Sequence, residues 1–194
     1  MNDYSQFKEQ GVILDYFQDK QGLFLDIGAY DGKWCSNTHA LALSGWSGYC
    51  IEANPLNFSR LVATYENNDD VELILATVVT DRKEKLTKLH LADCVSSPDI
   101  YHIKQFPDVK ISKSIYTPVL TIPEIFSLAG SKFDFINIDV EGNSVELFYT
   151  LMKHIGVKCI CVEADKRNKE ITDYMKGMNY KLLMDNGVNC IFGL

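Results

Sequence analysis

The sequence predicts an α/β fold: a doubly wound, mostly parallel sheet whose last strand runs antiparallel. Three observations point there. Apolar runs of strand length alternate along the chain with stretches of helical periodicity, the pattern of a parallel sheet covered on both faces. The run Leu23–Ile27 leads straight into a turn holding Gly28 and Gly32, and Glu52 closes a second apolar run about twenty residues later. Finally, Asp185-Asn186-Gly187 separates the last two runs, Tyr180–Met184 and Val188–Phe192. Asn-Gly between apolar runs is a hairpin signal, so the final strand should reverse.

The elements follow in order. Val12, Ile13, Tyr16 and Phe17 repeat with helical spacing, so residues 1–20 read as an amphipathic helix lying against the sheet edge. After the first strand, Ser36-Asn37-Thr38 supplies N-cap residues for a short helix that turns Leu41 and Leu43 inward and stops at Gly45. Gly48–Glu52 is the second strand. Asn54-Pro55 caps a helix with a buried stripe of Phe58, Leu61, Val62 and Tyr65. Val71–Leu75 is a third strand, and Ala76–Thr80 with Leu86–Leu91 forms a hairpin around Asp81-Arg82-Lys83-Glu84. Residues 92–118 lose periodicity and gather Ser96-Ser97-Pro98, Pro107 and several aromatics, as a lid over a site would. Phe133–Ile138 is a strand buried on both faces, Leu147, Phe148, Leu151 and Met152 mark the next helix, Lys158–Glu163 is a further strand, and Ile171, Tyr174 and Met175 mark a helix ending at Gly177.

With 194 residues, 46% of them hydrophobic, the chain can bury one substantial core, and a single domain over 1–194 is expected. The net charge of −7 and the absence of a Lys/Arg cluster argue against nucleic acid as a partner. No long apolar span points to a membrane. Six cysteines lie scattered without zinc spacing, as reduced thiols in the cytoplasm would, and Cys159-x-Cys161 reads as a pair of small core residues. Nothing in the sequence specifies an oligomeric state.

Gly28–Gly32, Glu52 and Asp139 would meet where strand order reverses, at the carboxyl ends of the strands, and bind a nucleoside there. The two glycines would let the backbone approach the ligand, and Glu52 would accept both ribose hydroxyls. A dinucleotide site wants G-x-G-x-x-G, whereas this turn is Gly-Ala-Tyr-Asp-Gly. Asp31 would repel a pyrophosphate but suits the phosphate-free, cationic S-adenosylmethionine. Asp26 could hold the ammonium of its methionine moiety or cap backbone amides. For the chemistry, Asp139 and Glu141 stand two apart at a strand end, where one could take a proton while the other orients substrate. Equally, Asp139 could hold the donor and Glu141 cap the helix near Asn143-Ser144. Asp139 with Glu163 and Asp165 could form an oxygen cage for magnesium, although the same acids suit solvated strand ends, and no metal is assigned. Of four histidines, His39, His90 and His154 read as structural, and His102 in the lid as a base that could swing over substrate.

The segments Ser5-Gln6, Phe24–Gly32 (FLDIGAYDG), Ser36-Asn37-Thr38, Gly45–Ala53 and Phe133–Gly142 (FDFINIDVEG), together with Val119–Glu124, resemble the FkbM family of S-adenosylmethionine-dependent methyltransferases. The resemblance implies a class I methyltransferase fold with a seven-stranded Rossmann-like sheet, and O-methylation of a hydroxyl on a sugar or other small molecule. It implies that Gly28, Ala29, Tyr30 and Gly32 line the donor, that Glu52 holds its ribose, and that Ala53, Asn54, Ala76 and Thr77 border its adenine. The family commonly has lysine two residues before the aspartate of IDVEG, where this chain has Asn137. An NAD-dependent oxidoreductase and a catalytically inactive methyltransferase-like scaffold are the competing readings.

Overall fold

A computed structural model describes residues 2–194. Its order is α1 (Glu9–Phe17), β1 (Leu23–Ile27), α2 (His39–Leu43), β2 (Ser47–Glu52), α3 (Pro55–Tyr65), β3 (Val71–Leu75), β4 (Thr77–Val79), β5 (Leu86–Leu91), α4 (Ile100–Ile103), β6 (Lys113–Thr121), α5 (Ile122–Ala129), β7 (Phe135–Ile138), α6 (Ser144–Met152), β8 (Cys159–Glu163), α7 (Asn168–Gly177), β9 (Lys181–Asp185) and β10 (Asn189–Gly193). Seven strands form one sheet in the order β3-β2-β1-β7-β8-β10-β9. Only β10 runs against its neighbours. The expected doubly wound sheet with a reversed last strand is therefore present.

Alternation along each strand assigns the two faces. Leu25, Ile27, Ile136, Ile138, Ile160 and Val162 pack with Val145, Phe148 and Ile171 from α6 and α7. Phe24, Phe135, Cys159 and Cys161 face the other way and pack with Ile13, Phe17, Leu41 and Leu61 from α1, α2 and α3. This second face also carries Asp26 and Asn137, which stand in register on β1 and β7. Strand order reverses between β1 and β7, so their carboxyl ends open a crevice.

Four expectations change. Helix α1 begins only at Glu9; besides meeting the edge strand β9 as expected, it covers the central strands, because Ile13 and Phe17 reach Phe24, Phe135 and Ile191. Leu43 and Val62 are exposed; at Val62 the α3 stripe turns to Asn57 instead, which is buried beneath the lid segment and donates to the Asp93 carbonyl. The expected hairpin does not form, since β5 pairs antiparallel and β4 parallel with β6, which lies between them. Residues 113–118 of β6 serve β5 and 119–121 serve β4, with Pro118 at the changeover. The lid consequently shortens to 92–112.

Candidate active site

Two adjoining cavities of about 260 Å³ each open at the strand ends and share Gly28, Tyr30, Cys94, Asp139 and Glu141. The first is walled on one side by Ile51, Ala53, Ala76–Val79 and Leu89, with the carboxylates of Glu52, Asp99, Asp139 and Glu141 also in its lining. The second runs from Asp26 and Asn137 past Ala29 and Cys35 to Trp34, Phe106 and Glu163. Neither is lined by a lysine or arginine.

The turn after β1 is tied down by its own amides. The N–H groups of Gly28 and Ala29 donate to the Ile51 carbonyl at 2.9 and 3.0 Å, and that of Gly32 to Ala29 at 2.9 Å. The Tyr30 N–H donates to Glu52 Oε2 at 2.9 Å. Four donors that could cradle a phosphate are thus already satisfied. Both glycines are required by packing, and Gly28 also lines both cavities. At Gly28 (φ 92°) a Cβ would lie 1.8 Å from the Asp139 carbonyl oxygen, and at Gly32 (φ 76°) 2.6 Å from Leu61 Cδ1. Gly32 lies outside both cavities. Nor does Asp31 face them: its Oδ1 accepts from the N–H groups of Lys33 and Trp34, closing the turn. Gly28→Ala is expected to cost roughly 3 kcal/mol, from the left-handed backbone and the clash together. Urea unfolding measures it, and a loss under about 1 kcal/mol would show that β7 can retreat.

Glu52 ends β2 with only 8% of its surface exposed. Its Oε1 accepts the Asn54 N–H at 2.7 Å, opposite the Tyr30 bond to Oε2. Burial without a cation pushes its carboxyl up to about 7, against the pull of those amides. Each oxygen still has a free lone pair.

Asp26 is buried on β1 and accepts from Thr38 Oγ1 at 2.6 Å and Asn137 Nδ2 at 2.8 Å. Burial raises its carboxyl above the ordinary value. Asn37 Nδ2 donates to Asn137 Oδ1 at 3.0 Å, leaving Asn37 Oδ1 buried without a partner. This amide chain was not legible, because it needs β7 beside β1.

Asp139 follows β7 and stands level with Glu163, the last residue of β8, since Ile138 pairs with Val162. Burial, then the Glu141 charge, raises Asp139 to about 7. Burial and Asp139 raise Glu163 to about 10. Two neighbouring carboxyls cannot both ionise cheaply, so the pair carries a proton at neutral pH. Glu141 does not cap α6; its Oε2 meets His102 Nε2 at 2.6 Å. His102 lies on α4, lines neither cavity and is held by Glu141. Among the described residues no group of three or more His, Cys, Asp or Glu is arranged to hold a metal ion.

The segment 92–112 is latched from three sides. Asp93 Oδ1 meets Tyr30 Oη at 3.1 Å and Arg60 Nη1 at 3.3 Å, Asn54 Nδ2 donates to Ser96 Oγ at 3.0 Å, and Ser97 Oγ donates to the Glu141 carbonyl at 2.8 Å. Asn54 thus caps α3 and holds the segment without lining either cavity. The fourth tie, His102 to Glu141, lifts the imidazole above its usual pKa. A raised histidine stabilises fully below the unfolded value near 6.5 and loses that contribution as pH rises through the folded value. Amide exchange over 99–106 is therefore expected to accelerate with pH beyond its intrinsic rise, and not in His102→Ala; equal profiles would remove the latch.

The strand order, the crevice between β1 and β7 and the acid closing β2 define a class I methyltransferase fold. The sequence matches the methyltransferase FkbM domain over residues 26–182, and the chain belongs to that family of S-adenosylmethionine-dependent methyltransferases. Similar folds include precorrin-6y C5,15-methyltransferase from Geobacter metallireducens GS-15 (TM-score 0.53, 11% identity, covering 95% of this chain and 86% of that one). The METTL16 methyltransferase domain is similar too (TM-score 0.54, 10% identity, 95% and 65% covered). So is an rRNA methylase from Streptococcus thermophilus (TM-score 0.50, 9% identity, 98% and 96% covered). At these identities the likeness is one of fold. No curated protein sequence matches the chain.

Proposed function

We propose that this protein transfers the methyl group of S-adenosylmethionine to a hydroxyl of a small molecule or glycan. The observation that carries the reading is Asp139: a carboxylate on the wall common to both cavities, raised to about 7 and so able to accept a proton near neutral pH. When bound, the donor supplies a methyl group activated by its sulfonium. Ile51, Ala76–Val79 and Leu89 form a slot suited to adenine, Glu52 offers its free lone pairs to the ribose hydroxyls, and Asp26 faces the ammonium. Lining that carries six acids across both cavities and no basic residue suits a cationic ligand without phosphate. The engaged amides of the glycine turn disfavour a pyrophosphate, and with it the oxidoreductase reading.

In-line displacement asks the protein to fix the acceptor oxygen and to remove its proton. Asp139 takes that proton, Glu141 orients the acceptor while steadied by His102, and residues 92–112 exclude water. The acidic surface favours a small acceptor over nucleic acid. The test is transfer of labelled methyl from S-adenosylmethionine to a panel of sugars and hydroxylated small molecules. Oxygen-linked product supports the reading. Tight binding of S-adenosylhomocysteine with no turnover on any acceptor would instead favour a binding module.

A further inference from the structure

We infer that Asn137 makes donor binding a proton-releasing event: by giving Asp26 an amide partner instead of a cation, it leaves that carboxylate to take its counter-charge from the ammonium of the donor. This rests on the reading that the second cavity receives the amino-acid end of S-adenosylmethionine.

The geometry is that of a charge waiting for a partner. Asp26 is 2% exposed and Asn137 5%, and both line the cavity. The two hydrogen bonds that reach Asp26, from Thr38 and Asn137, come from neutral donors. Following the chain outward gives only another amide, Asn37, whose own oxygen ends unpaired. The titratable groups packed around Asp26 add no positive charge. Glu52 and Cys50 come from β2, Asp139 follows β7, Cys161 comes from β8 and Tyr65 from α3. His39 on α2, next along the chain to Thr38, has its pKa lowered by burial.

A buried carboxylate with no cation responds by holding its proton, in line with the upward shift that burial gives Asp26. Docking of an ammonium reverses the balance: the O–H bond of the Asp26 carboxyl breaks, the proton goes to solvent, and the carboxylate faces a cation that keeps all its own protons. By linkage, affinity for the amino-acid end then weakens as pH falls. A lysine at 137, level with Asp26 across the β1–β7 pairing, would supply the cation internally and abolish both effects.

The experiment is calorimetry at pH 6.5 in two buffers of different ionisation enthalpy, with S-adenosylhomocysteine and with adenosine, which occupies the Glu52 end alone. Wild-type protein is expected to release more protons to S-adenosylhomocysteine than to adenosine. In Asn137→Lys the excess should vanish, with S-adenosylhomocysteine bound about tenfold more weakly, about 1.4 kcal/mol, and adenosine unchanged. Asp26→Asn, isosteric and uncharged, should lose the excess too, and serves if the lysine variant does not fold. Equal release by the two ligands in wild-type protein, or an excess that survives in either variant, overturns the inference alone. Failure of wild-type protein to bind either ligand overturns the donor reading and this inference with it.

Discussion

Glu52→Ala is expected to weaken S-adenosylhomocysteine binding by roughly 100-fold, about 3 kcal/mol, as the loss of two hydrogen bonds to a charged acceptor. The near-isosteric Glu52→Gln should not weaken the free protein at pH 8, and this separates a binding role from a structural one. Folding lifts the Glu52 carboxyl from 4.5 to about 7. For an acid a raised folded value is a penalty on the ionised form. It is absent below about 4.5, grows as pH rises, and is complete above about 7, on the order of 3 kcal/mol there. Glu52→Gln keeps the volume and an acceptor for one of the Tyr30 and Asn54 amides, and removes the penalty. Urea midpoints of wild type and Glu52→Gln should therefore converge at pH 4.5 and separate at pH 8 in favour of the variant. A wild type that gains stability over that interval relative to the variant would mean that the amides hold Glu52 ionised, and that no ligand is needed to keep it so.

That Glu52 was visible in the sequence, and much around it was not, has a physical cause. A carboxylate that ends an apolar strand and precedes an Asn-Pro cap carries its position in its neighbours, and so does Asp139 after the run Phe135–Ile138. Both stand in the crevice. The glycines stood in the sequence without their packing reason: Gly28 yields to the Asp139 backbone and Gly32 to Leu61, partners more than a hundred and about thirty residues away. The β4–β5 hairpin failed for the same reason. Local turn chemistry favoured it, and a strand beginning at Lys113 took both edges. Asp26 could be picked out from its motif, but the Asn137 and Asn37 amides that complete its surroundings depend on β1 lying beside β7. Pairing between distant strands is what a single sequence does not display.

Asp139→Asn should lower kcat by roughly 100- to 10,000-fold, the range for loss of a proton acceptor, while leaving S-adenosylhomocysteine affinity within about threefold, under about 1 kcal/mol. The split matters, because an Asp139 that holds the donor would lose affinity first. Its protonation supplies a second signature. With the carboxyl raised from 3.8 to about 7, the wild-type rate should climb through neutral pH and level off once the base is free. Glu163 shares that titration, since it stands beside Asp139 and stays protonated to about 10. Glu163→Gln keeps a neutral hydrogen-bonding group there and should leave the profile near its wild-type position, whereas Glu141→Gln removes the first charge acting on Asp139 and should move the midpoint to lower pH. Asp139→Asn should also gain stability at pH 8, on the order of 2 kcal/mol, because a carboxylate crowded by Glu141, Glu163 and Asp165 is retained for chemistry at the expense of the fold. A variant that turns over normally, or one that is less stable at pH 8 than wild type, would remove Asp139 from the chemistry and return it to holding the β7 loop.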